Sequence, residues 1–182
     1  HLEALPASLR LTIDLCLKRH LVDALPLLRA CTSAEIVQVL RLLQSRITMP
    51  GEVITRASAP ATEMYFVSRG TFAVLSRAAD GAESRVMATL GVGAFFGELP
   101  LLHAKFEGRG ETTRSLGYGE CMALAKQHFD ALLRKSAGFA HVVRAVARER
   151  LEKALFLEAS RRRQALANRR RQQEEPVAEE KE

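Results

Sequence analysis

Two short stretches between Gly91 and Leu124 carry residue types that suit the binding of a phosphate beside a sugar hydroxyl. Phe96-Gly97-Glu98-Leu99 supplies an apolar anchor, a backbone position without a side chain, a carboxylate and the start of a short helical turn. Further along, Arg109 lies between Gly108 and Gly110. The N–H groups of a helical turn and a guanidinium bind phosphate, and a carboxylate accepts a hydrogen bond from a ribose hydroxyl. The pattern therefore predicts a site for a cyclic nucleotide.

Short β-prone runs surround this candidate site, and turn-forming pairs such as Pro50-Gly51, Arg69-Gly70 and Asp80-Gly81 separate several of them. The runs are residues 47–49, 53–55, 64–67, 71–75 and 85–89 before the site, and residues 112–115 and 120–125 after it. Many short strands at this spacing are typical of a β-sandwich or a roll.

Helical periodicity flanks the strands on both sides. Residues 7–22 place apolar side chains at spacings of four, and Thr32-Ser33-Ala34-Glu35 resembles a capping box with either Thr32 or Ser33 as the cap. Residues 127–133 are again helical in period, and Gly138 is expected to break the chain before a long final helix. We expect that helix to fray or to be solvated beyond Ser160. The fold class predicted is α+β: an antiparallel, jelly-roll-like β-roll flanked by N-terminal helices and a long C-terminal helix.

Composition narrows the classes of function. A length of 182 residues allows one domain with an appendage, or at most two small domains, and no apolar run approaches the length of a membrane span. The net charge of +6 is concentrated in residues 144–171, which usually indicates a solvated helix face rather than a nucleic-acid site. The chain turns acidic from Glu174, and we expect a disordered tail there.

Catalytic and metal-binding patterns are absent from the sequence. The five histidines share no ligand spacing, and no nucleophile stands beside a base in the pattern of a known catalytic site. The three cysteines, Cys16, Cys31 and Cys121, are far apart, which favours reduced and mostly packed thiols. We therefore expect neither an enzyme nor a resident metal.

Several motifs in the right order resemble the cyclic-nucleotide-binding domain of cyclic-nucleotide-gated and hyperpolarisation-activated ion channels, together with part of the C-linker that precedes it. Residues 96–102 with Arg109 resemble the phosphate-binding cassette. The other motifs are residues 5–13 and 21–28, similar to the end of the C-linker; residues 50–54 and 64–70, similar to the opening strands; and residues 116–124, similar to the last strands.

The resemblance implies a domain order and a set of site residues. Residues 1–30 would end the C-linker, residues 31–160 would form the binding domain, and residues 161–182 would be a basic and then acidic tail. The implied ligand-binding residues are Phe96, Gly97, Glu98, Leu99, Arg109, Gly110, Arg150 and Lys153. Arg109 would bind the phosphate and Glu98 the ribose 2′-hydroxyl, while Arg150 and Lys153 would reach the base from the last helix.

The resemblance also implies a ligand and partners. The ligand would be cAMP or cGMP, with no metal, and the partner would be the transmembrane pore of the chain's own parent in a homo- or heterotetramer. The module would then lie on the cytoplasmic side of a membrane. Gly110 stands where many such channels carry a threonine whose hydroxyl reaches the guanine, so cAMP is favoured over cGMP.

Pro100 departs from the family pattern and leaves a second interpretation open. It stands where the family usually has a small residue whose backbone N–H points at the phosphate, and proline has no N–H. The chain could therefore be a degenerate member that binds no nucleotide and serves assembly or intrinsic gating. A transcription factor with the same roll would need a helix-turn-helix domain after the long helix, where the chain has little apolar content. A kinase regulatory subunit would usually carry two rolls in tandem.

Overall fold

The structure, a computed structural model, describes residues 6–57, 59–77, 83–103 and 111–174. Helices enclose two groups of strands in the described chain. The helices are α1 (Ala7–Leu17), α2 (His20–Ala24), a 3₁₀ helix (Pro26–Ala30), α3 (Ser33–Leu42), α4 (Leu99–Leu102), α5 (Lys126–Lys135) and α6 (Ala137–Glu174). The strands are β1 (Gln44–Thr48), β2 (Val53–Thr55), β3 (Glu63–Arg69), β4 (Phe72–Arg77), β5 (Glu83–Leu90), β6 (Phe95–Phe96), β7 (Glu111–Ser115) and β8 (Gly119–Ala125).

The strands form two four-stranded antiparallel sheets, in the orders β1-β8-β3-β6 and β2-β7-β4-β5. Their inner faces share one apolar core. The first sheet contributes Tyr65, Val67, Phe96, Cys121 and Ala123, and the second contributes Ile54 and Phe72. Burial of these side chains away from water is the main force that holds the two sheets together. The α+β fold with an antiparallel β-roll, N-terminal helices and a long C-terminal helix is confirmed.

The outer face of the first sheet is covered as well. Five consecutive residues of β3, residues 64–68, are buried, so this strand lacks the buried and exposed alternation of a one-sided sheet. Helix α5 packs on β3 and β8, and its Phe129 meets Phe139 of α6 edge to face, with ring centroids 6.1 Å apart. The helices therefore close the second side of the sheet.

The N-terminal helical region is not one continuous helix. Residues 7–22 were expected to be helical throughout, but α1 ends at Leu17 and α2 begins at His20. Tertiary contacts account for the interruption, because Lys18 Nζ donates to the carbonyl oxygens of Leu40 and Leu43 at the end of α3, at 3.1 and 2.7 Å. These bonds satisfy carbonyls that the helix itself leaves without partners.

The capping box at the start of α3 is confirmed, with Thr32 rather than Ser33 as the cap. Glu35 N donates to Thr32 Oγ1, and Thr32 N donates to Glu35 Oε2 at 2.7 Å. These reciprocal bonds satisfy two backbone donors that otherwise lack partners at a helix start.

The break before the last helix falls at Ser136, so the prediction that Gly138 marks it is wrong. Ser136 ends α5, and its Oγ accepts a hydrogen bond from Phe139 N in the first turn of α6. Gly138 is helical, and its role is close packing: an added Cβ would overlap the carbonyl oxygen of Ala30 and lie 2.7 Å from the carbonyl carbon. A serine cap suffices to start the helix.

The chain divides into two compact units, His1–Arg144 and Ala145–Glu182. In the second unit, α6 continues without interruption to Glu174, so of the two alternatives expected beyond Ser160, fraying or a solvated helix, fraying is wrong. Within it, Lys153 Nζ lies 2.6 Å from Glu149 Oε1 one turn earlier, an exposed ion pair that lowers the pKa of Glu149.

Candidate functional site

Phe96 anchors the candidate site to the core of the roll. It is one of the two residues of β6, pairs with Tyr65 in the ladder, and stacks on the Tyr65 ring with centroids 5.1 Å apart. Phe72 of the other sheet lies against it at 6.0 Å. The residue that precedes the site is therefore held from both sheets, which fixes where the next backbone groups point.

Gly97 and Glu98 turn the chain from β6 into α4. Gly97 has a φ of +85°, a conformation that residues with a Cβ rarely adopt. Glu98 follows as the N-cap of α4 and is 1% exposed. A carboxylate at such depth is kept only with hydrogen-bonding or charged partners, since leaving it unpaired is costly. Glu98 is therefore a buried carboxylate at the start of α4 rather than a surface one.

The backbone donors of the α4 turn are limited in number. Leu101 N and Leu102 N both donate to Glu98 O at 3.0 Å, and Pro100, within the first turn, has no N–H. Pro100 costs the helix nothing, since a first-turn N–H has no partner within the helix. Pro100 therefore offers no backbone N–H group to an anion at this turn.

Strand β7, which follows the candidate site, is held by buried hydroxyl groups that the sequence patterns did not single out. Thr112 Oγ1 accepts from Ala57 N at 3.1 Å, and Thr113 N donates to Thr55 Oγ1 at 3.2 Å. Ser115 Oγ lies 3.1 Å from Thr48 Oγ1, and both residues are fully buried. The available signal was the run of threonine and serine within a β-prone segment, whose hydroxyls need partners once buried.

The structure brings together part of the predicted residue set. Phe96, Gly97, Glu98 and Leu99 form one continuous segment at the end of β6. The predicted phosphate contact Arg109 and its neighbour Gly110 lie outside the described residues. Arg150 and Lys153 belong to the second unit, on α6, and their predicted contact with a base stays a prediction.

Two other kinds of site were searched for in the described part of the chain. It contains no group of three or more His, Cys, Asp and Glu side chains that could hold a metal ion. None of its helices is long and apolar enough to cross a membrane. The thiols also differ in environment: Cys16 is exposed and Cys31 is half-buried, whereas burial raises the pKa of Cys121 to about 11.

Comparison with known proteins identifies the class to which this two-sheet roll, with its glycine turn and buried carboxylate, belongs. Residues 46–136, half of the chain, match the model of the cyclic nucleotide-binding domain. The chain belongs to this family.

Two curated relatives are ion channels. The chain is 34% identical over 118 residues to the cyclic nucleotide-gated channel beta-3 of Mus musculus. The aligned region covers 65% of the chain and 16% of that protein. It is 32% identical over 131 residues to a cyclic nucleotide-gated potassium channel of Mesorhizobium japonicum. That aligned region covers 72% of the chain and 34% of that protein. The chain thus spans about a third or less of these relatives' lengths. The predicted resemblance to the binding domains of channels is confirmed.

Two solved structures share the fold. The catabolite activator protein of Thermus thermophilus superposes with a TM-score of 0.65 at 28% identity, covering 74% of this chain and 62% of that one. The regulatory subunit of a cAMP-independent protein kinase A from Trypanosoma brucei superposes with a TM-score of 0.70 at 20% identity, covering 80% of this chain and 53% of that one. These relatives are channels and regulatory proteins rather than enzymes.

Proposed function

We propose that the chain is the regulatory module of a tetrameric ion channel, in which a bound cyclic nucleotide controls the pore. The observation that carries the proposal is Glu98, a carboxylate 1% exposed at the first turn after a glycine with positive φ. Family membership supplies the ligand class, and the channel relatives supply the class of parent protein. In this account residues 1–30 end the C-linker, residues 31–160 form the binding domain, residues 161–182 form a tail, and the module lies on the cytoplasmic side of a membrane.

The proposed binding chemistry divides between two charged residues and the backbone. Glu98 accepts a hydrogen bond from the ribose 2′-hydroxyl, since an ionised carboxylate can only accept. Arg109 binds two phosphate oxygens at once, in the planar geometry that a lysine cannot supply. Backbone N–H groups of residues 97–99 complete the contact with the anion, and Phe96 holds this segment on the core.

Pro100 and Gly110 set the expected strength and preference of binding. Loss of one hydrogen bond to a charged group costs roughly 1.5–3 kcal/mol, or about one to two decades of affinity, so Pro100 should make this site weaker than one with a residue that has an N–H. Gly110 has no hydroxyl to offer to a guanine amino group, which favours cAMP over cGMP.

Coupling to the pore is proposed to use the last helix. Arg150 and Lys153 would contact the base, and Leu151 and Leu155 would cover it, so that the helix closes on the nucleotide. A ligand shifts a conformational equilibrium only by the difference in its affinity for the two states. The N-terminal helices would then transmit the closure to the pore.

Calorimetric titration of Arg109→Ala with cAMP tests the phosphate assignment. We expect specific binding to be lost, because the variant lacks the guanidinium proposed to bind the phosphate, whereas Arg85→Ala, at an exposed position on β5, should bind as the parent does. Unchanged affinity in Arg109→Ala would contradict the assignment. A chain that is folded yet gives no heat with millimolar nucleotide would instead favour the degenerate module that serves assembly or intrinsic gating.

A further inference from the structure

The last third of helix α6 is a basic segment, residues 155–174. Between Glu158 and Glu174 it carries six arginines and no acidic residue. Earlier on the helix the charges are mixed, and Lys153 pairs with Glu149 at 2.6 Å. The two glutamates of the basic segment offset only part of its charge, so six arginines leave a net charge of +4. Such a block of like charge attracts an anionic partner.

The helical period places apolar residues of the basic segment in one row. Leu155, Ala159 and Leu166 follow one another at spacings of four and seven, which is one face of an α-helix. The same period puts two pairs of arginines beside this apolar row, one pair on each side: Arg162 with Arg169, and Arg163 with Arg170. The segment is therefore amphipathic, with cations along both borders of its apolar row.

The side chains that the structure describes in the basic segment are all exposed: Leu155, Phe156, Ala159, Ser160 and Arg163. Leu155 is 55% exposed and Phe156 is 71% exposed. Exposure of large apolar side chains to water is unfavourable, and where they lie together they mark a surface that a partner covers. The partner must therefore offer both apolar contact and negative charge.

We propose that the basic segment lies on an anionic phospholipid surface. The apolar row would enter the boundary of the hydrocarbon, while the arginines on both sides bind lipid phosphate groups. Arginine suits this position because its apolar stem lies along the hydrocarbon while its guanidinium reaches the phosphate. Helices that lie in a membrane interface have a basic polar face and an apolar face of this kind.

Other polyanions match the segment less well. A nucleic acid attracts the arginines through its phosphates but gives the apolar row nothing to contact. A protein groove that binds an amphipathic helix holds several large apolar anchors in one row, whereas this row has two, Leu155 and Leu166. A lipid surface needs only a shallow apolar row with cations at its borders.

The proposal concerns the second unit alone and holds whether or not the roll binds a nucleotide. Leu155 is also proposed to cover the base of the nucleotide, so the test variants leave it unchanged. They also leave Arg150 and Lys153 unchanged. Failure of lipid binding and failure of nucleotide binding are therefore separate results.

Sedimentation of the whole chain with lipid vesicles tests the proposal. Vesicles of phosphatidylcholine with about 30% phosphatidylserine should carry the chain down, and vesicles of phosphatidylcholine alone should not. Raising the salt from about 0.1 M to about 0.5 M should release it, because the Debye length falls well below about 10 Å.

Charge variants locate the contact on the helix. Arg163→Gln/Arg170→Gln should weaken binding roughly tenfold to thirtyfold, since each arginine near an anionic surface contributes about fivefold. The control Arg144→Gln/Arg148→Gln removes the same charge from exposed positions earlier on α6 and should weaken binding far less.

The residues after Glu174 predict a change of the opposite sign. Residues 175–182 hold four glutamates and one lysine, so an anionic surface repels them. Glu175→Gln/Glu179→Gln/Glu180→Gln should therefore strengthen binding to the same vesicles.

An apolar variant separates a lipid surface from any other polyanion. Leu166→Gln should weaken binding roughly threefold to tenfold, because the apolar row loses its contact with the hydrocarbon. Leu157→Gln makes the same change on the opposite face of the helix and should bind as the parent does.

Two results would overturn the proposal. One is a folded chain that does not sediment with phosphatidylserine vesicles at about 0.1 M salt, or that does so equally well in Arg163→Gln/Arg170→Gln and in its control. The other is lipid binding that Leu166→Gln leaves unchanged. Charge alone would then account for the attraction, and a nucleic acid would serve as well as a membrane.

Discussion

The ring of Phe96 stacks on the ring of Tyr65, with centroids 5.1 Å apart and planes inclined by 18°. The two residues are also partners in the ladder between β6 and β3. The strand pairing and the ring contact therefore both hold Phe96 in place, directly before the turn that carries Gly97 and Glu98. A two-residue strand would be a weak element by itself, and the aromatic contact is what makes it a firm base for the site.

Removal of this anchor should destabilise the whole roll. Phe96→Ala deletes a ring that is 4% exposed, and we expect a loss of about 3–5 kcal/mol in the free energy of unfolding, as for other buried aromatic residues. Urea denaturation followed by circular dichroism measures the loss. Val92→Ala, at a position 58% exposed, is the matched control and should change stability little. A loss below about 1 kcal/mol in Phe96→Ala would show that the stack carries no such role.

Gly138→Ala should destabilise the chain although alanine is the better helix former. The added Cβ would meet the backbone of Ala30, so the start of α6 or the 3₁₀ helix must move. We expect a net loss of roughly 1–3 kcal/mol from overpacking, which outweighs the gain of about 1 kcal/mol in helix propensity.

Gly117→Ala serves as the control for this substitution, because a Cβ at Gly117 meets no atom within 4 Å. Thermal unfolding of both variants beside the parent chain compares them. A Gly138→Ala variant as stable as Gly117→Ala would contradict the close approach of α6 to Ala30.

Glu35→Gln should make stability less sensitive to acid. Hydrogen bonds from the side chain of Ser136, and then from Thr32, lower the pKa of Glu35 below its ordinary value of 4.5. A carboxyl group with a lowered pKa in the folded state contributes stability above its unfolded pKa, and that contribution is lost as the pH falls through the folded pKa. The parent chain should therefore lose stability below pH 4.5 more steeply than the variant.

The free energy of unfolding at a series of pH values from about 6 to about 3 measures this difference. The control is Glu152→Gln, which removes an exposed carboxylate on α6 and should keep the acid sensitivity of the parent chain. Equal acid sensitivity in the parent and in Glu35→Gln would show that the cap contributes nothing to the pH dependence.

Local chemistry explains which parts of the fold could be predicted from the sequence. The capping box of Thr32 and Glu35 depends on residues three apart, and Gly51 and Gly70, which do adopt positive φ, punctuate the strands as expected. The segment of residues 96–99 could likewise be recognised from the sequence, because its four residues are consecutive.

Contacts between distant parts of the chain explain what could not be predicted. The end of α1 depends on Lys18 reaching the carbonyls of α3, which no pattern within residues 7–22 encodes. Gly138 was interpreted as a helix breaker because the residue type suggests it, whereas the structure requires a glycine there because of the close approach to Ala30. The burial of Glu98 depends in the same way on the closed roll around it.

Calorimetric titration of the chain with cAMP and with cGMP measures whether this roll binds a cyclic nucleotide. We expect saturable binding of cAMP at one site, weaker binding of cGMP, and lowered affinity in Glu98→Gln, which keeps the shape of the side chain but replaces the carboxylate with an amide. Titrations of the folded chain that give no heat with either nucleotide at millimolar concentration would contradict this expectation.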